Sequence, residues 1–257
     1  MSKLSGAYHE MDQMNSMAQK DKWLNHIHPL AKLIVTVLYI YFVVSISKYN
    51  IAGILLMGIY PVILFILGEI PFRDCLKRLR VVLPLVCFVG ILNPFFDRKL
   101  VFLWGSIEVT SGMISMVTLM LKGIFTVLAV YLLIASTTIE KICFALRMVH
   151  IPSVLVTQVL LTYRYISVLL KEAHTITEAY SLRAPGQKGV YFKVWGPLVG
   201  QLLLRSIDRA DSVYAAMVMR GYQGEYYLGS QEKCRKKDYL YLLSWIVLFI
   251  LIQLFIK

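Results

Sequence analysis

The sequence predicts an all-α polytopic membrane protein, with about five transmembrane helices and further long helices that project into the cytoplasm. Of its 257 residues, 58% are hydrophobic and only 16% are charged, and the mean hydropathy is +0.65. Soluble domains average about 45–50% apolar and about 25% charged residues. Several apolar runs also reach the length that crosses the hydrocarbon core of a bilayer.

The net charge of +12 raises the question of a nucleic-acid partner. Most basic residues, however, stand between or beside apolar runs and form no single exposed block. An excess of lysine and arginine in cytoplasmic loops explains this distribution. We therefore expect the bilayer as a partner, and no nucleic acid.

The cysteines and the N-terminal segment indicate no secreted disulfide-bonded domain. Residues 1–29 are polar, lack the apolar centre of a signal peptide, and are expected to form a cytoplasmic N-terminal segment. No CxxC or metal-ligand spacing occurs. We expect four free thiols, at Cys75, Cys87, Cys143 and Cys234.

Residues 30–137 are predicted to form the N-terminal transmembrane helices. Two apolar runs, 30–47 and 51–68, are separated by only three residues and predict a tight helical hairpin. Residues 71–80 predict a short basic helix at the membrane interface. A shorter span at 81–96 contains prolines that predict a kink and a stop.

The next segment, 97–111, alternates in the manner of a small hairpin and is expected at the opposite membrane face. A further span covers 111–137 and contains Lys122, a functional candidate because charge at membrane depth is costly. The last span is predicted at 239–257.

Residues 138–238 differ from these spans, because amphipathic patterns and 14 lysines or arginines predict a cytoplasmic region. With a cytoplasmic N-terminus, this region and the connection near 71–80 both lie inside. We expect a multi-pass protein of the plasma membrane. The basic residues left on the far side are then Lys48, Arg98, Lys99 and Lys257.

Two long helices are predicted within this cytoplasmic region. The first opens at Pro152 and stops before Pro185, a length of roughly 45 Å that exceeds a bilayer core. Its first half is apolar and its second half polar. The second helix is predicted to open at Pro197 and to end at Gly221, a natural left-handed cap.

Each long helix ends in an arginine, Arg183 or Arg220. A cation at a helix C-terminus stabilises the helix by about 0.3–1 kcal/mol, which alone would explain one such residue. Two similar ends predict a paired docking surface, because a guanidinium can bind a partner's carboxylate through two hydrogen bonds.

The neighbourhood of Arg220 holds small and charged residues. The small residues allow close helix crossing; they are Ala210, Ala215 and Ala216. The charged residues have spacings that include i,i+3, for which surface ion pairs are the default explanation. They are Arg205, Asp208, Arg209 and Asp211.

Motifs for chemistry within this chain are absent. There is no phosphate-binding loop, no HExxH metal site and no GxSxG nucleophile elbow. The histidines His9, His26 and His28 do not predict a metal site, because two residues two apart on a helix point to different sides. We expect no catalytic, metal-binding or cofactor-binding residue here, so any ATP must be bound by another chain. A polytopic membrane enzyme is the competing class, but its spans would need more ionisable groups.

Three stretches carry a resemblance to a known family. They are "RSIDRADSVYAAMVMRGYQGEY" at 205–226, the earlier "EAYSLRAPG", and the opening "MDQMNSMAQKDKWLNHIHPLAKL" with its "HP..KL" start of the first span. The chain resembles, from about residue 11 to 228, the transmembrane T component of energy-coupling factor transporters. The nearer resemblance is to the CbiQ type of cobalt or nickel systems.

The resemblance implies a helical scaffold that holds two ATP-binding cassette ATPases and a membrane-embedded substrate-binding subunit. In a cobalt system that subunit would be CbiM-like, with a possible CbiN-like accessory, and uptake would serve cobalamin biosynthesis. The long helices would be coupling helices whose terminal arginines insert into the ATPases. A T component serving vitamin-specific subunits stays an alternative.

Carried over by position, the coupling residues are Arg183 with Ala184 and Arg220 with Gly221. Leu182 and Met219 stand where the family usually has alanine, and Ala184 replaces a glycine. These departures leave both arginines in place.

Overall fold

The computed structural model describes residues 16, 23–70, 72–96, 100–104, 107–186, 189–224 and 234–256. The chain forms two compact units. We call Met17–Thr138 with Glu232–Lys257 the bundle unit, and Met1–Ser16 with Ile139–Gln231 the long-helix unit. The membrane and cytoplasmic assignment of the segments 1–29, 30–137, 138–238 and 239–257 stays a prediction.

Helices dominate the described residues, as the predicted all-α class requires. A 3-10 turn at Trp23–His26 precedes the first helix. In chain order the elements are α1 (Pro29–Ser45), α2 (Ile51–Met57), α3 (Ile59–Gly68), α4 (Phe72–Phe96), β1 (Leu100–Trp104), β2 (Ile107–Thr110), α5 (Ser111–Ser136), α6 (Ile139–Met148), α7 (Ser153–Arg183), α8 (Phe192–Met219) and α9 (Lys236–Ile256).

Four stretches of helix in the described part of the chain are long and apolar enough to cross a membrane. They are Ile51–Gly68, Ser111–Ser136, Ser153–Arg183 and Lys236–Phe255. Two shorter apolar helices are Pro29–Ser45 and Val82–Ile91. The chain is therefore a polytopic membrane protein. That α7 leaves the lipid halfway along its length stays a prediction.

The predicted second span is broken into α2 and α3 at Gly58. Pro61 has no backbone N–H, so the carbonyl of Met57 loses its helical partner four residues on. The hydroxyl of Tyr39 on α1 donates a hydrogen bond of 3.1 Å to that carbonyl instead. A Cβ at Gly58 would lie 2.9 Å from the ring of Phe125, so this position also permits close approach of α5.

The prediction of a separate basic interface helix followed by a short span was wrong. Residues 72–96 form one continuous helix, α4, which passes through Pro84 and Pro94. Membrane helices tolerate proline where neighbouring helices supply support. α5 packs closely against this part of α4, because a Cβ at Gly123 would lie 2.9 Å from Val86. The predicted hairpin is confirmed, with β1 and β2 antiparallel and Trp104 paired with Ile107.

Aromatic side chains form the core of the bundle unit. The rings of Tyr39 and Tyr60 stack at 4.3 Å between centroids. Phe249 of α9 lies 5.6 Å from each of them, and Trp245 meets Tyr60 edge-on at 4.8 Å. Helices α1, α3 and α9 are thus joined by interlocking rings, whose preferred offset and edge-on contacts stabilise this arrangement.

The long-helix unit has a smaller core, where α6 packs against the start of α7. Its buried members are Cys143, Val156 and Leu160. Burial, and next the charge of Glu140, raise the pKa of the Cys143 thiol. All four cysteines are free, as predicted. By contrast, α8 contains no buried residue.

The expected start of α8 at Pro197 was wrong, because the helix begins five residues earlier at Phe192. Tyr191 is extended, with φ −64° and ψ 140°, and the helical conformation starts immediately after it. Pro197 leaves one carbonyl, that of Lys193, without a helical donor. Lys193 is exposed, so water can satisfy this carbonyl.

Candidate functional site

The C-terminus of α7 places Arg183 in an exposed position. Pro185 disfavours the helical conformation for the residue before it, and Ala184 indeed leaves the helix with φ −124° and ψ 64°. The N–H of Ala184 still donates to the carbonyl of Tyr180, at 3.1 Å. Gly186 then adopts a left-handed φ of 97°. The predicted end of this helix is confirmed, and Arg183 is its last residue.

The C-terminus of α8 presents Arg220 through a different cap. The N–H of Tyr222 donates to the carbonyl of Met217, at 3.0 Å, and the N–H of Gly221 donates to that of Val218, at 2.9 Å. This pair of bonds is a Schellman cap, which needs a left-handed residue. Gly221 supplies it with φ 83°, as the sequence predicted. Arg220 is exposed at the cap itself.

Neither guanidinium is engaged with the rest of the described chain. Arg183 and Arg220 make no hydrogen bond or ion pair with a described residue, and both side chains are exposed. Capping of their own helices by these side chains is therefore not seen in the part of the chain that the structure describes. Both guanidinium groups therefore lie at exposed ends of the long helices.

Each arginine is preceded by an exposed apolar side chain, which sequence reasoning did not use. Leu182 is 77% exposed and Met219 is 83% exposed. The sequence carried a signal for this feature, because Leu182 and Met219 are large apolar residues at the polar ends of helices, where their own helix cannot bury them. Each tip therefore combines a cation with an apolar surface.

The two long helices contact each other along a cleft. Glu172 of α7 accepts a hydrogen bond from Arg205 of α8. Arg205 thus forms an ion pair with the neighbouring helix, and not the pair within α8 that its spacing suggested. The ion pair lines one part of this cleft, with a volume of about 270 Å³. A neighbouring part, lined by Leu161 of α7 and Ala210 of α8, has a volume of about 380 Å³.

The small residues of α8 have different surroundings. Ala210 lines the cleft, Ala216 is half-buried and Ala215 is exposed. Their role in helix crossing stays a prediction.

Lys122 serves a structural purpose in the bundle unit. Its ammonium donates to the carbonyls of Val44, at 2.9 Å, and Ile46, at 2.5 Å. These groups lie at the C-terminus of α1, where carbonyls lack helical partners and the dipole favours a cation.

The expected absence of a metal site stays a prediction. Within the described ranges no three His, Cys, Asp or Glu side chains are grouped to hold a metal ion. His28 caps α1, since its Nδ1 accepts from the N–H of Leu30, at 3.2 Å. His26 ends the 3-10 turn. His9 lies outside the described residues.

Comparison with known proteins agrees with this architecture. The family described as "CbiQ: Cobalt transport protein" matches residues 20–229. The energy-coupling factor transporter transmembrane protein EcfT of Ruminiclostridium cellulolyticum is 27% identical over 78% of this chain and 80% of its own length.

Two further relatives extend the range of the comparison. An uncharacterized protein, MJ1571, of Methanocaldococcus jannaschii is 28% identical over 90% of this chain and 82% of its own length. The nickel permease LarQ of Lactiplantibacillus plantarum is 29% identical over 45% of this chain and 42% of its own. The family match spans most of the chain, and it includes both arginine tips. The chain therefore belongs to the CbiQ family and is a transmembrane T component of the energy-coupling factor type.

Proposed function

We propose that this chain is the coupling subunit of an importer for cobalt or nickel ions. It would hold two ATP-binding cassette ATPases through Arg183 and Arg220, and it would pass their closure to a membrane subunit that binds the ion. ATP would be bound by the ATPases, and this chain would need no cofactor. The observation that carries the proposal is the pair of exposed arginines at the ends of the two long helices, which make no polar contact with the residues that the structure describes.

The ion class is supported by the description of the matching family and by the nickel permease relative. A CbiM-like substrate subunit, with a CbiN-like accessory, would then be the membrane partner. The main alternative is service to vitamin-binding subunits. The relatives named EcfT match more of the chain than the nickel permease does, and their names specify no substrate.

Charge reversal at the two tips tests the coupling role. A charged group removed from its partner's groove typically costs about 2–5 kcal/mol of binding free energy, much of it from the partner charge left unpaired. We expect Arg183→Glu and Arg220→Glu to leave insertion near normal, to release the ATPases during copurification, and to end uptake. The double variant should be at least as severe as either single one.

Arg209→Glu is the matched control, because Arg209 is an exposed arginine of α8 away from the tip. If the arginines only capped their own helices, the loss would stay within about 1 kcal/mol. Wild-type recovery of both ATPases and unchanged uptake with the double variant would refute the proposal.

The proposed orientation has a cytoplasmic N-terminus in the plasma membrane, supported by the distribution of lysine and arginine. Both arginine tips must face the cytoplasm for ATPases to reach them. Reporter fusions after residues 75 and 190 should therefore be active as cytoplasmic fusions, and one after Arg98 as an external one. An external report at residue 190 would overturn the arrangement.

A further inference from the structure

Buried polar groups gather at the start of α1, in the "HP..KL" stretch. Lys32 stands in the first turns of α1 and is only 4% exposed. Its ammonium donates to the carbonyl of Ser136, at 2.9 Å, and to the hydroxyl of Thr137, at 3.3 Å. Ser136 is the last residue of α5, so Lys32 neutralises the carbonyl end of that helix.

A second bond joins the same stretch to α9. Asp238, in the first turn of α9, is 7% exposed. One carboxylate oxygen accepts from the N–H of His28, at 2.9 Å. The other accepts from the N–H of Arg235, at 2.7 Å, and thereby caps α9. The start of α1 is thus bound to the end of α5 and to the start of α9.

These two attachment points lie close to two of the three chain junctions between the two units. The chain leaves the bundle unit after Thr138 and returns to it at Glu232. Lys32 holds residues immediately before the first junction, and Asp238 lies shortly after the second. We call Lys32, Ser136, Thr137, Asp238 and the backbone N–H of His28 the junction node.

We propose that the junction node is the anchor through which movement of the long-helix unit reaches the bundle unit. Charged groups this deeply buried are costly unless they are fully hydrogen-bonded. Lys32 and Asp238 therefore favour one packing of α1 against the end of α5 and the start of α9. Movement of the long-helix unit pulls on the bundle unit at these chain connections. When both junctions are held to α1, this movement displaces the helices of the bundle unit. When either junction is released, the movement only changes the conformation of the connecting segment. Lys32 and Asp238 are positioning residues, and the coupling part of this inference rests on the proposed function.

The anchor can be tested on the full chain without any partner. In Lys32→Met, reconstituted in nanodiscs, hydrogen exchange should rise at residues 136–140, which include its partners Ser136 and Thr137, and also at 235–240, around Asp238. We expect at least about a tenfold rise, as for a local opening that loses a buried anchor. Asp238→Asn should raise exchange at 136–140 in return, because coupling between two sites is reciprocal.

Lys122→Met is the matched control. Lys122 also donates to helix-end carbonyls within the bundle unit, but near Val44 and Ile46. Its loss should raise exchange there and leave both junctions unchanged. If hydrogen exchange rises only beside the substituted residue in Lys32→Met and Asp238→Asn, the proposal that the junction node is one anchor is overturned. If Lys32→Met fails to fold, the milder Thr137→Val is read in the same way.

The coupling role is then measured in proteoliposomes of the whole complex, with Co²⁺ and Ni²⁺ each supplied as probe ions. We expect the node variants to retain both ATPases and ATP hydrolysis but to import at least about tenfold less ion per ATP, a loss comparable to removing 1.4 kcal/mol of coupling. Lys122→Met should keep the wild-type ratio. A wild-type ratio in Lys32→Met would refute the coupling role. Absence of ATPase binding to the wild-type chain would instead refute the proposed function, and the exchange result would still decide the anchor.

Discussion

The bundle unit and the long-helix unit are stabilised in different ways. In the bundle unit, α1, α3 and α9 meet through fully buried aromatic rings, and helix ends are satisfied by Lys32 and Lys122 from neighbouring helices. In the long-helix unit, α8 runs for 28 residues without burying one of them. The bundle unit therefore has a packed core of its own, whereas the side chains of α8 stay at least partly exposed.

The largest test of this contrast is at the aromatic core. Phe249→Ala should lower the free energy of unfolding by about 3–5 kcal/mol, because it leaves a cavity between the rings of Tyr39, Tyr60 and Trp245. Unfolding in mixed micelles monitored by circular dichroism measures the loss. Phe255→Ala is the control on the same helix, since Phe255 is 86% exposed. Equal losses for the two variants would remove the distinction between core and surface in α9.

The smallest expected effect is on α8. Leu203 is 57% exposed, so Leu203→Ser should change the free energy of unfolding of the isolated chain by no more than about 0.5 kcal/mol. Leu160→Ser, at a buried position of α7, should cost at least about 2 kcal/mol. The same unfolding measurement applies to both. A large loss at Leu203 would show that this face of α8 supports its own unit.

Features set by neighbouring residues were predictable from the sequence. The ends of α7 and α8 follow from Pro185 and Gly221, whose backbone restrictions act within a few residues. The start of α8 was predicted wrongly, because the local effect of Pro197 was taken to decide where the helix begins. Pro197 is compatible with a helix start, but a single lost hydrogen bond at an exposed carbonyl is also tolerated inside a helix. The course of α4 through Pro84 likewise depends on packing against α5.

Features set by distant residues could not be predicted. Lys32 and Ser136 are separated by 104 positions, and no periodicity links a lysine in one helix to a carbonyl at the end of another. The "HP..KL" stretch carries a family resemblance but no pattern that predicts its contacts with α5 and α9. Arg205 illustrates the same limit, because the spacing on α8 suggested Asp208 while the structure pairs it with Glu172 of α7. For the candidate site, the two arginines were predictable from the sequence. That they make no polar contact with the described residues is seen only in the structure.

The hydrogen bond from Tyr39 to Met57 has a consequence for sequence variation. Pro61 removes the N–H that would satisfy this carbonyl, and the Tyr39 hydroxyl replaces it from another helix. A phenylalanine at position 39 would leave the carbonyl unpaired in an apolar core, unless position 61 regained an N–H. The two positions are therefore coupled in one direction: loss of the hydroxyl at position 39 is tolerated only where position 61 carries an N–H. Among relatives of this chain, a tyrosine at the first position should accompany proline at the second.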